Sequence, residues 1–98
     1  MATFVTLPHF EANWAKLTRR QQDAFRTVVL EAFEPDLVAP DRPFRRSLCV
    51  RSVAGHPGLF EMTWNHDGRA TFSYGLERVP GQPHVVWQDI VTIPRSPR

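Results

Sequence analysis

Five polar side chains sort onto one face if residues 58–75 are read as two strands joined by a tight turn. The side-chain period of two in a strand puts Glu61 and Thr63 on the same side as Arg69, Thr71 and Ser73. Together they supply a carboxylate, a permanently charged guanidinium and three hydroxyls. A guanidinium donates in a planar fork that matches phosphate or carboxylate, so the chemistry on offer is recognition of an anion. The opposite parity is apolar: Phe60, Met62 and Trp64, then Ala70, Phe72 and Tyr74. That side has to be covered, which leaves the polar side free for function.

The rest of the composition bounds what can cover it. The chain has 98 residues, 42% of them apolar, which suits a single domain with one modest core. No apolar run is long enough to span a bilayer, and residues 1–7 lack a signal-peptide pattern, so a cytoplasmic protein without membrane association is expected. Cys49 is the only cysteine, which excludes an internal disulfide and a cysteine-rich metal site. Four scattered histidines add no ligand spacing, and neither a metal nor a cofactor is expected. Lys16 is the only lysine among twelve basic residues; the arginine excess leans towards an anionic partner, although codon usage in a GC-rich genome gives the same bias.

Along the chain, residues 3–6 predict a short first strand. Pro8 suits the first turn of a helix carrying Phe10, Trp14 and Leu17 on one stripe. Thr18 and Gln21 fit a capping box, predicting a second helix over 19–33 that buries Phe25, Val28, Val29, Ala32 and Phe33 and stops at Pro35. A proline-containing loop follows, through Pro40 and Pro43. A strand is then expected over 44–53, with Leu48 and Val50 facing one way and Arg45, Ser47, Cys49 and Arg51 the other. His84 to Ile93, rich in valine, isoleucine and tryptophan, predicts the last strand. Pro94 and Pro97 argue against pairing of the Arg95–Arg98 tail. The expected fold is α+β: a two-helix hairpin on one face of a twisted, mainly antiparallel sheet of four to five strands. The helices cover Phe60, Met62, Trp64, Phe72 and Tyr74. The open face carries Arg45, Arg51, Glu61, Thr63, Arg69, Thr71 and Ser73.

This layout and these motifs resemble the RelE/ParE superfamily of toxin–antitoxin toxins. The likeness is carried by Gly58-Leu59-Phe60-Glu61-Met62-Thr63-Trp64, by Asp67-Gly68-Arg69-Ala70-Thr71-Phe72, by Gly81-x-Pro83-His84-Val85-Val86-Trp87 and by Leu48-x-Val50-Arg51. The resemblance implies a ribosome-dependent endoribonuclease that acts on mRNA, inhibits translation and is neutralised by an antitoxin. In that chemistry the RNA 2′-hydroxyl attacks the adjacent phosphate, which needs a proton acceptor, positive charge on the phosphorane and a donor to the leaving oxygen. Arg69 matches the family arginine assigned to the scissile phosphate. Arg51 matches a basic position suited to the RNA backbone. Glu61 is either a general base or a cross-strand ion partner of the arginines.

Two departures stand out. RelE proteins carry lysines where this chain has Glu61 and Thr63, and close relatives place a glycine and a histidine where Val91 and Ile93 stand. An isoleucine moves no protons. His56, in a Gly-His-Pro-Gly turn, is a further catalytic candidate because loops carry function. Trp87 is read either as a base-stacking residue on the open face or as packing. The expected partners are an antitoxin, the ribosome and mRNA. The competing reading is a non-catalytic binding protein on the same scaffold: a gyrase blocker of the ParE type, or a toxin that has lost its activity and still binds antitoxin.

Overall fold

A computed structural model describes residues 1–39 and 41–93. Five strands form one sheet: β1 (Thr3–Thr6), β2 (Arg51–Ser52), β3 (Phe60–Asn65), β4 (Gly68–Gly75) and β5 (His84–Thr92). Their order is β1-β5-β4-β3-β2, with β1 parallel to β5 and every other pair antiparallel. The helices α1 (Pro8–Trp14), α2 (Arg19–Val28) and α3 (Glu34–Val38) precede the meander, so the α+β expectation holds. The Arg95–Arg98 tail and Pro40 lie outside the described residues.

Local signals start the helices where the sequence places them. Pro8 opens α1. At α2 the Thr18 hydroxyl accepts from the Gln21 amide at 3.1 Å, and the Gln21 side chain accepts from the Thr18 amide at 2.8 Å. This reciprocal cap satisfies two otherwise orphaned donors. The expected stop at Pro35 is wrong, because α2 runs through a π-helical turn, Val29–Phe33, directly into α3. Proline lacks an N–H, and its ring collides with the carbonyl four residues back in a regular helix. The Glu34 amide instead donates to the Val29 carbonyl, a five-residue step that widens the turn just before Pro35 and lets the helix pass it.

The helices bring Phe10, Phe25 and Phe33 onto Met62, Trp64, Phe72, Val85, Trp87 and Ile90, all buried. Phe33 has no exposed surface, and its ring centroid lies 5.1 Å from those of both Phe72 and Trp87. Trp64 packs beneath Gly68 so closely that a Cβ there would meet the indole ring at 2.5 Å. Glycine is what allows the turn and the tryptophan to occupy the same space.

Three sequence expectations fail in the sheet. The strand over 44–53 shrinks to Arg51–Ser52, because Arg46–Leu48 form a 3-10 turn and Cys49 adopts a left-handed conformation with φ 47°. Burial of Leu48 and the hold on Arg45 described below override the local alternation. Cys49 is accordingly an exposed turn residue and not a strand residue. Tyr74, expected under the helices, is 48% exposed beyond their reach. Trp87 is 3% exposed in the core, so it cannot stack on a base from the open face. The reason is a bulge: Phe72 pairs with Trp87, but Thr71 pairs with Asp89, so Trp87 and Ile90 both face inwards although they are three apart.

Candidate functional site

Strand register assembles the open face in rows. Arg51 on β2 stands opposite Glu61 on β3, Glu61 opposite Thr71 on β4, and Thr71 opposite Asp89 on β5. The neighbouring row runs Thr63, Arg69, Val91. Five predicted residues on β3 and β4, namely Glu61, Thr63, Arg69, Thr71 and Ser73, therefore do share one face, with Arg51 at its edge. They do so because the pairing from Phe60↔Phe72 to Thr63↔Arg69 is regular, and the register shift between Thr63 and Asn65 lies on the turn side of these residues.

The electrostatics of this face are those of exposed charges with defined partners. Arg51 Nη2 donates to Glu61 Oε1 at 3.1 Å, across the strand pair. Arg51 is largely exposed, so the bridge contributes at most about 1 kcal/mol to stability. Its effect is to orient Glu61 and to occupy one of its oxygens. Both border a cleft of about 360 Å³ with Ser52, Val53 and Ala54. Arg69 uses a single nitrogen, Nη1, to donate to the backbone carbonyls of Gly68 at 2.9 Å and Asn65 at 3.3 Å. Those bonds cap the hairpin turn and hold the guanidinium in one place. Ser73 Oγ accepts from Gln88 Nε2 at 2.9 Å, so its hydroxyl is already engaged.

Three predicted residues are not brought to this face. Trp87 is in the core. His56 is exposed at the tip of a turn whose Gly55 and Gly58 have φ near 80°, and no described hydrogen bond joins it to Glu61 or Arg69. Arg45 leaves the sheet altogether. Its Nε and Nη2 donate to Asp36 at 2.8 and 3.0 Å, and its backbone N–H adds a third bond to that carboxylate at 2.9 Å. Asp36 is 6% exposed, and the Arg45 side-chain bonds, then its backbone bond, hold the carboxyl at about 2 against the opposing effect of burial.

Sequence reasoning missed a group at the other end of the Arg51 row. Asp89 Oδ1 accepts from Asn13 Nδ2 at 2.6 Å and from the Ile90 amide at 2.8 Å, while Oδ2 lies 3.5 Å from His9 Nε2. The spacing of His9 and Asn13, one helical turn apart, was the available signal. The bulge that aims Asp89 was not legible. Beside Arg69 on β5 the residue is Val91, 39% exposed, and the Ile93 amide that follows donates to the Asp67 carbonyl at 2.6 Å. The register thus sets two cations, Arg51 and Arg69, and two carboxylates, Glu61 and Asp89, in adjoining rows, with His9 beside Asp89. Among the described residues no three histidine, cysteine or carboxylate side chains gather where a metal could be held.

On the helix side, Phe4, Phe10, Trp14, Phe25, Val29 and Leu30 line an apolar groove of about 510 Å³. Arg26 lies over the Trp14 ring at 5.1 Å, and Leu30 on the rim is 66% exposed.

No protein-family model and no curated protein sequence matches this chain. Its fold is similar to that of a copper-bound mutant toxin from Helicobacter pylori, with a TM-score of 0.60 over 94% of each chain and 13% sequence identity. The sheet face and the groove described above are thus built on a scaffold that a bacterial toxin also uses.

Proposed function

We propose that this chain is the toxin of a toxin–antitoxin pair of the RelE/ParE type and cleaves mRNA on the ribosome, using the open sheet face. The observation that carries the reading is the held guanidinium of Arg69, set in register with Thr63 and one row from the Arg51–Glu61 pair. A cation fixed before substrate arrives stabilises the charge that develops on the phosphorane without reorganising. Arg51 holds the RNA backbone, and Glu61, or His9 backed by Asp89, accepts the 2′-hydroxyl proton. The shared scaffold with a toxin and the hairpin motif both support this. The antitoxin is a short amphipathic segment, and the apolar groove beside α1 and α2 gives it an apolar seat.

Induced expression in bacteria is expected to arrest growth and to leave cuts in translated messages. Arg69→Ala should slow cutting by about a hundredfold, with a cooperative thermal transition retained. An intact protein that neither arrests growth nor cuts would sink the reading.

One observation favours a second reading. Val91 and Ile93 are exposed and apolar beside Arg69, where an acid or base would serve cleavage. On that reading the chain binds without cutting, blocking a target such as DNA gyrase or retaining only antitoxin binding. The double change Val91→Gly with Ile93→His should then create cleavage absent from the present sequence. Equal cleavage by both proteins would exclude it.

A further inference from the structure

The pocket that Arg45 does occupy is a built cationic cleft. Asp36, Arg42, Pro43, Phe44, Arg45 and Arg46 line an opening of about 500 Å³ between α3 and β2. None of them belongs to the open sheet face. Three guanidiniums meet one carboxylate there, and that carboxylate is fully committed to Arg45. Arg42 and Arg46 are exposed and take part in no ion pair among the described residues. The cleft therefore carries two positive charges in excess, on side chains that make no described ion pair, the charge of Arg42 adding only a minor pull on the Asp36 carboxylate.

Arg45 is a pre-organised donor. Asp36 takes Nε and one hydrogen of Nη2, which leaves the Nη1 end of the guanidinium turned away from the carboxylate. The Arg45 side chain is 45% exposed, so that end meets solvent. Because Asp36 holds it, binding an anion there does not have to freeze a flexible side chain. Phe44 stacks on the buried Phe33 at 5.2 Å, is itself only half-buried, and with the exposed Pro43 forms an apolar wall beside the cations. Guanidiniums next to a fixed aromatic surface are the combination that single-stranded nucleic acid uses, phosphate on the charges and base on the ring. An acidic peptide would use the charges and leave the wall idle.

We infer that this cleft binds a phosphodiester of single-stranded RNA, with Arg42 and Arg46 on the phosphate, Arg45 as its fixed donor and Phe44 against a base. This extends the RNA reading of the sheet face to a second contact that shares no residue with it, and it rests on that reading only for the identity of the strand.

The test is direct binding of a short fluorescein-labelled single-stranded RNA to the full chain, followed by anisotropy over a series of salt concentrations. Arg42→Ala with Arg46→Ala removes two exposed side chains that make no described hydrogen bond or ion pair, and the Arg45 clamp on Asp36 stays in place, so the fold should persist, as a thermal melt would show. The double variant is expected to bind about tenfold more weakly, with the slope of log affinity against log salt reduced by about 1.4. Unchanged affinity and slope would overturn the proposal. Loss confined to Arg51→Ala and Arg69→Ala would also overturn it while leaving the sheet-face reading standing. No RNA binding by the intact protein would overturn the proposal as well, and growth arrest with cut messages on induction would then decide the toxin reading separately. Displacement of the RNA by polyglutamate at equal charge concentration would reassign the cleft to an acidic protein segment.

Discussion

Phe33→Ala is expected to lower stability by about 4 kcal/mol, the cost of an aromatic ring removed from a filled core. The ring has no exposed surface and joins three others, stacking on Phe44 and meeting Phe72 and Trp87 at 5.1 Å. It therefore ties the helical layer to both long central strands and to the loop that carries the arginine cleft. Neighbouring rings cannot collapse into the space without breaking contacts of their own, which puts the loss towards the upper end for such changes. For a chain of this size the thermal midpoint should fall by more than about 15 °C. Denaturant unfolding at neutral pH measures the loss directly. A drop of under about 1 kcal/mol would mean that the π-helical turn does not seat Phe33 as described.

Asp36→Ala is the second large effect, expected at about 3 kcal/mol because three hydrogen bonds to a buried carboxylate disappear and Arg45 loses its partner. It also has a pH signature. The carboxyl is held at about 2 in the folded chain against an ordinary value of 3.8. A depressed folded-state value stabilises the fold above the ordinary value, and the contribution disappears as the pH falls from about 4 to about 2. The intact protein should therefore lose this stability across that window, while Asp36→Ala, already without it, should show a shallower decline there. Identical acid-unfolding curves for the two proteins would exclude the clamp. The variant also frees Arg45, so any change in RNA affinity it causes reports on the value of holding that donor still.

The cleft and the sheet face are recognised by different means, which is why one was anticipated and the other was not. The hairpin's alternation of apolar and polar residues is local, and its pairing keeps one register from Phe60↔Phe72 to Thr63↔Arg69, shifting only beside the turn. Glu61, Thr63, Arg69, Thr71 and Ser73 could be placed together from the chain alone. The helices were legible for the same reason: a capping box at Thr18 and Gln21 and an apolar stripe are satisfied within one or two turns. Pro35 misled because the remedy, a π-helical turn, has no fixed residue signature.

What the chain alone determined is the α+β layering and the share of the open face that β3 and β4 supply, since both follow from periodicity over neighbouring residues. Tertiary structure alone decided which side Trp87 takes, because a bulge of one residue at Gln88 reverses the parity that counting would assign. It also decided that Arg45 serves Asp36 and not the sheet, and that His9 and Asn13 meet Asp89. Those are contacts between segments brought together only when the core closes. Their strength depends on burial and distance in the folded chain, and neither quantity is written in the spacing of residues along it.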